Sequence, residues 1–194
     1  GGDGTRNYMQ IGHGGSGTTG AMSNANISVN ITGTDGTDSL SIIGGGTQEA
    51  YAMIGHGGDS ADGSVTGSNI NIVLADGNVR MAANGTAGTG GNRSHSQIGH
   101  GGFNNNDAGD FAGNILVDVQ SGGLTMTAGE AANATYTMIG HGGVNNNATT
   151  GHTGTIAVNT ADDLTITAGL TTAVGTDRFA MIGHGGAASN STNS

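Results

Sequence analysis

The chain has 194 residues, 41 of them glycine, and it contains no proline, cysteine or tryptophan. Four arginines and no lysine stand against 14 acidic residues, which gives a formal net charge of −10. So few scattered cations offer no footprint for a phosphate backbone, which excludes nucleic-acid binding. The lack of cysteine excludes a disulfide scaffold and a thiolate zinc site. No apolar run approaches the roughly 20 residues of a membrane span, so none is expected.

One five-residue motif, IGHGG, organises the whole chain. Successive copies are 43, 44, 41 and 43 residues apart, and they begin at Ile11, Ile54, Ile98, Ile139 and Ile182. Self-similarity at such a period is typical of repeat architectures. We therefore expect one continuous domain over residues 1–194, with repeats starting near 11, 54, 98, 139 and 182. The chain opens without methionine and stops just after a motif, which indicates a fragment of a longer array.

Two apolar stretches follow each of the first four motifs in a fixed order. In the first repeat they read NISVNI and LSII, and both have counterparts in the next three repeats. Ile27, Val29 and Ile31 alternate with polar residues, which is the period of a strand with one buried face. Glycine, asparagine and aspartate flank these β-branched stretches. Together with the motif strand, they predict about three short strands per ~43-residue repeat and no helix.

The repeated strands predict an all-β parallel β-helix, or β-solenoid. Each strand would pair with its copies about 4.8 Å above and below. A WD40 propeller has a similar period, but its blade needs four strands and a Trp-Asp pair, and this chain has no tryptophan. One coil per repeat is favoured over two, because identical motifs then stack directly on one another.

Every motif carries one histidine, and stacking would align these side chains in a ladder with a spacing of about 4.8 Å. The five are His13, His56, His100, His141 and His184. A structural ladder would form hydrogen bonds along the solenoid. If its rings are buried and neutral, acid should destabilise the stack. The other two histidines, His95 and His152, are interpreted as substitutions in a column or loop.

The same five histidines are the candidate metal ligands, because imidazole binds zinc, copper and nickel. No carboxylate accompanies them at a fixed offset, and a simple stack of imidazoles suits a tetrahedral shell poorly. We therefore predict no metal and no cofactor. GTDGTDSLS, from Gly33 to Ser41, resembles a calcium-binding nonapeptide. A single copy cannot complete such a site, so an Asp-Gly turn is the better interpretation.

An aromatic column precedes the motif. Three residues before each isoleucine stand Tyr8, Tyr51, His95, Tyr136 and Phe179. Glutamine or methionine comes directly before the isoleucine, so several copies are apolar on both faces. Either a loop of the same chain or a partner must cover the second face. A local loop is the favoured interpretation, and side-by-side packing of rods is the alternative.

The pattern GxIxV…LxITAG…YAMIGHGG, clearest from Gly154 to Gly186, resembles the repeats of filamentous-haemagglutinin-like giant bacterial surface proteins. The resemblance covers essentially the whole chain, although the first two repeats match LTITAG poorly. It implies a right-handed parallel β-helix, secretion by Gram-negative bacteria, and long rods used in adhesion or contact between cells. It implies no catalytic residue.

We therefore expect a structural or adhesive segment of an extracellular, cell-surface filament or adhesin stalk. Its partner would be further copies of itself, through strand stacking and lateral packing, with a surface glycan or a neighbouring cell as a further candidate. No recurrent carboxylate pair or activated nucleophile is visible, so an enzyme is not expected. The alternatives are a glycan- or receptor-binding solenoid module and a histidine-ladder metal-binding array.

Overall fold

A computed structural model of the chain describes residues 6–33, 38–84, 92–105, 110–129, 133–148, 151–169 and 176–188. Within these ranges the regular structure is entirely β, in strands that form four parallel sheets. No helix in the described ranges is long and apolar enough to cross a membrane. Residues 34–37, the middle of the calcium-like segment, lie outside the described residues.

The motif sheet has one strand from each copy of the motif. Its order is β1-β5-β9-β13-β17. The strands are β1 (Met9–Ile11), β5 (Ala52–Ile54), β9 (His95–Ile98), β13 (Tyr136–Ile139) and β17 (Phe179–Ile182).

Two core sheets arise from the two alternating stretches of each repeat. The first core sheet contains β3 (Ile27–Ile31), β7 (Ile70–Leu74), β11 (Ile115–Val119) and β15 (Ile156–Thr160). The second contains β4 (Asp38–Gly44), β8 (Asn78–Ala83), β12 (Leu124–Thr127) and β16 (Leu164–Thr167). Both follow the repeats in sequence order.

A fourth sheet, the two-residue sheet, was not predicted. Its strands are β2 (Met22–Ser23), β6 (Val65–Thr66), β10 (Phe111–Ala112) and β14 (His152–Thr153). A strand of two residues is too short to show a period, which is why alternation cannot reveal it. The available signal was one large side chain that recurs shortly before the first core strand, from Met22 to His152.

Strands pair in parallel with their counterparts one repeat away. Ile54 pairs with Ile98, and Met81 pairs with Met126. The prediction of an all-β chain with parallel strands stacked in register is therefore confirmed. A propeller would pair antiparallel strands within one repeat, so that alternative is wrong. The two-coil alternative is also wrong, because consecutive copies of a strand pair directly.

One apolar core lies between three of the sheets. The motif sheet contributes its isoleucines, and the core sheets contribute the inward residues of their alternating pattern. Ile72, Met81, Ile98 and Val117 have no exposed surface. Since the strands of one coil are short, a coil gains most of its buried area from the coils above and below.

Candidate functional site

The motif turn, the IGHGG segment of each repeat, is built for close stacking of backbones. Gly57 has a φ of +105°, and a Cβ on it would lie 2.5 Å from the carbonyl oxygen of Gly101 in the next repeat. A Cβ on Gly58 would meet the hydroxyl of Tyr51. Only glycine allows both the conformation and the approach. The glycines of the motif are therefore explained by the stack.

The five predicted histidines do form a ladder along the motif turns. The centroids of successive rings are 5.2, 4.9, 4.7 and 4.8 Å apart, and their planes are nearly parallel. His56, His100 and His141 are buried. Stacking of equivalent residues follows from parallel pairing in register, as the sequence predicted.

Each ladder ring from His56 onward accepts a hydrogen bond at Nδ1 from the backbone of the preceding repeat. The His56 amide donates to Nδ1 of His100 over 3.1 Å, and the His100 amide donates to Nδ1 of His141 over 3.0 Å. The His13 and His141 amides make the same bond to His56 and His184, over 3.0 and 3.1 Å. An accepting Nδ1 carries no proton.

The other ring nitrogen, Nε2, forms a hydrogen bond with a backbone carbonyl group near the start of the first core strand. Nε2 of His100 lies 2.6 Å from the Ser68 oxygen, and Nε2 of His141 lies 2.8 Å from the Gly113 oxygen. Nε2 of His56 faces Ala25 in the same way, at 2.5 Å. Since a carbonyl can only accept, Nε2 is the protonated, donating nitrogen. His56, His100 and His141 thus form a column of neutral rings in one tautomer.

Burial governs the titration of these rings. It lowers the pKa of His100 to about 4, against opposition from the hydrogen bond to Ser68. Burial also lowers the pKa of His56, and it holds that of His141 well below its ordinary value. Neighbouring ladder histidines push each of these pKa values further down, because two positive rings would repel.

This geometry disfavours the metal-binding alternative for the ladder. A metal ion needs a free ring lone pair, and in His56, His100, His141 and His184 the Nδ1 lone pair already accepts a backbone hydrogen bond. Among the residues that the structure describes, no group of three or more histidine, aspartate or glutamate side chains is placed to hold a metal.

The aromatic column also forms, and it includes His95. The His95 ring stacks between Tyr51 and Tyr136, with centroid distances of 4.7 and 4.8 Å. The ring is fully buried, and its Nε2 has no hydrogen-bond partner among the described residues. His152 stacks on Phe111 in the two-residue sheet at 5.2 Å. Both are column substitutions, one of the two interpretations offered for them.

The second face of the motif strand is covered by the chain itself. Tyr136 and Met138 are fully buried in a cluster with Phe103 and Val144, the residues that directly follow two motif turns. Tyr51 and Met53 are buried as well. The expected local cover is therefore confirmed for these central repeats. It removes the observation from which side-by-side packing of rods was predicted.

Two kinds of polar contact were missed by the sequence analysis. Glu49 is buried and lies 2.7 Å from both Arg6 and Arg93, its counterparts in adjacent repeats. Gln97 donates to the carbonyl groups of Gly140 and Gly142 over 3.0 and 3.1 Å. An alignment of the repeats places Glu49 between the arginines, so opposite charge at equivalent positions was the available signal.

Comparisons with known proteins identify no relative of this chain: no protein family, no curated protein and no solved structure matches it. The resemblance to filamentous-haemagglutinin-like repeats therefore stays a prediction.

Proposed function

We propose that this chain is a structural segment of an extracellular bacterial filament or adhesin stalk. Its sheets would wrap into a closed, right-handed parallel β-helix, and its partner would be a further coil of the same repeat. The mechanical role is that of a stiff rod whose length scales with the number of repeats. The resemblance to bacterial surface rods supports the location at the cell surface.

The observation that carries the proposal is the continuity of the strand ladders. The motif sheet has one strand from each of the five motif copies, and each of the other three sheets has one strand from each of the four full repeats. All of these strands pair in parallel. The histidine and aromatic columns follow the same axis. Such a structure supports load along one direction, since each coil is hydrogen-bonded to the next.

The terminal strands support growth by strand addition. Leu164 and Ile166 on β16 are 46% and 43% exposed, whereas their partners Leu124 and Met126 on β12 are fully buried. At the other end, Ile11 is 50% exposed. A further coil of the same repeat would cover these side chains and pair the edge backbone. In the central repeats the chain itself covers the face for which lateral packing was the alternative, so the proposal is limited to stacking along the axis.

The test compares two substitutions on the exposed edge strand β16. Ile166→Glu places a charge in the apolar row that an added coil must bury, whereas Thr165→Glu places it on the outward face of the same strand. We expect the unmodified protein and T165E to associate end to end as concentration rises, and I166E to stay monomeric. Sedimentation would give the sizes, and cryo-electron microscopy the rise, expected near 4.8 Å per repeat.

The proposal is wrong if I166E associates as strongly as the unmodified protein. It is also wrong if assembled particles show no density continuing from β16. A glycan- or receptor-binding module stays an alternative prediction, and glycan capture by the monomeric I166E variant would favour it over a stalk.

A further inference from the structure

We propose that the histidine ladder is an acid-sensitive lock on the motif turns. At neutral pH each ring from His56 onward joins the motif turn of one repeat to the backbone of the repeat before it. Protonation of the rings would release these connections and open the turns, while the strand ladders of the two core sheets remain paired.

The lock rests on hydrogen-bond geometry. The His56 amide donates to Nδ1 of His100, and Nε2 of the same ring donates to the Ser68 oxygen. A proton added to the ring has only Nδ1 to occupy. Protonated Nδ1 is a donor, and it would face the backbone N–H that it now accepts from. The backbone bond must then break, and a buried amide loses its partner.

Among the described residues, no carboxylate acts directly on His56, His100 or His141. Within the ladder, each ring faces its neighbours at 4.7 to 5.2 Å, where two positive rings repel. From the two-residue sheet, Phe111 and His152 lie against Gly101 and Gly142 of the motif turns; Met22 and Val65 precede them in the same sheet. His152 depresses the pKa of His141 further, and the negative charge of Asp110 acts on His152. The groups that contact the rings from the turns before the first core strands are neutral. They are the backbone carbonyl groups of Ala25, Ser68 and Gly113.

The direction of the pH effect follows from the lowered pKa of the buried rings. A folded-state pKa below the ordinary 6.5 leaves stability intact above about pH 6.5, and stability falls as the pH drops toward the folded-state pKa. For His100 that window runs from 6.5 to about 4. Burial raises the pKa of Asp59 to about 6, which acts in the opposite direction over part of this range. Several buried histidines outweigh this single carboxyl.

Amide hydrogen exchange on the full chain tests the lock. We expect protection of the His56 and His100 amides to fall on the order of 50- to 100-fold between pH 7 and pH 4.5, after correction for the intrinsic rate. Amides of β11 in the first core sheet should change much less. Nitrogen-15 spectra of the imidazoles should show the Nε2–H tautomer for the buried ladder rings at pH 7.

Two variants separate the ladder from the other buried histidines. His100→Gln keeps one donor and one acceptor but cannot titrate, so the His56 amide should lose far less protection in acid. His95→Tyr is the matched control, because it removes a buried histidine with a pKa of about 4 outside the ladder. It should leave the acid response of the His56 amide unchanged.

Three results would overturn the proposal. One is protection of the ladder amides that does not change between pH 7 and pH 4.5. Another is a proton on Nδ1 of the buried rings at pH 7, which can be read from the unmodified protein even if H100Q does not fold. Equal acid sensitivity of the His56 amide in H100Q and in the unmodified protein would also contradict it.

Discussion

At the scale of single residues, the motif acquires its meaning from atoms one repeat away. Gly57 faces the carbonyl of Gly101, Tyr51 reaches Gly58, and His100 binds the amide of His56. None of these contacts is local in sequence. A substitution in one motif turn therefore acts on two coils.

Gly57→Ala tests the steric requirement of the motif turn. The new Cβ would combine positive φ with an approach to the Gly101 oxygen. We expect the free energy of unfolding to fall by about 2–4 kcal/mol, from backbone strain and overpacking together. Urea unfolding followed by circular dichroism would measure the loss.

Gly17→Ala is the matched control. Gly17 has a φ of +66°, and no atom lies within 4 Å of its Cβ position. At the equivalent position of the last motif copy, the residue is already an alanine, Ala188, with a φ of 52°. The expected loss is about 1 kcal/mol or less. Equal losses in the two variants would show that crowding between the repeats is unimportant.

At the scale of elements, position in the stack decides what a strand contributes. Met126 on β12 and Ile166 on β16 are partners in register, yet only Met126 is enclosed from both sides. The two core strands of each repeat are visible as alternation in the sequence, and the third, the motif strand, as a repeated motif. The difference in burial between equivalent strands is not visible in the sequence, because it depends on whether a coil has neighbours on both sides.

Met126→Ala and Ile166→Ala form a matched pair for this effect. We expect Met126→Ala to lower the free energy of unfolding by about 2–5 kcal/mol, because it leaves a cavity. Ile166→Ala should cost about 1 kcal/mol or less in monomeric protein, since much of the side chain is already in water. Similar losses would contradict the burial difference between the two strands.

At the scale of the whole molecule, each repeat contacts mainly the repeats before and after it. Deletion of residues 98–138 removes one repeat of 41 residues and joins Gln97 to Ile139, which restores the motif. We expect a folded protein that is shorter by one coil, about 4.8 Å, because the ladders reconnect in register. Circular dichroism and small-angle scattering would measure strand content and length.

Deletion of residues 98–118, about half a repeat, is the control. It removes β10 and nearly all of β11, so the strands that follow have no counterpart at the same place in the coil. We expect loss of folded structure around the junction. A half-repeat deletion that folds as well as the full-repeat deletion would contradict stacking by equivalent positions.

The sequence by itself determined the repeat, its three longer strands, their register and the two ring columns. The physical reason is that parallel stacking turns equivalent positions into neighbours, so an alignment of the repeats is already a map of contacts along the axis. Ile54 above Ile98 and His56 above His100 follow directly from this rule.

Only the tertiary structure decided the contacts between positions that are not equivalent. The two-residue strands, the cover of Phe103 over the motif strand, and the bond from His100 to Ser68 all join different parts of a coil. Their geometry depends on how the chain turns between sheets, which the repeat period does not specify. The protonation state of the ladder depends on that same geometry.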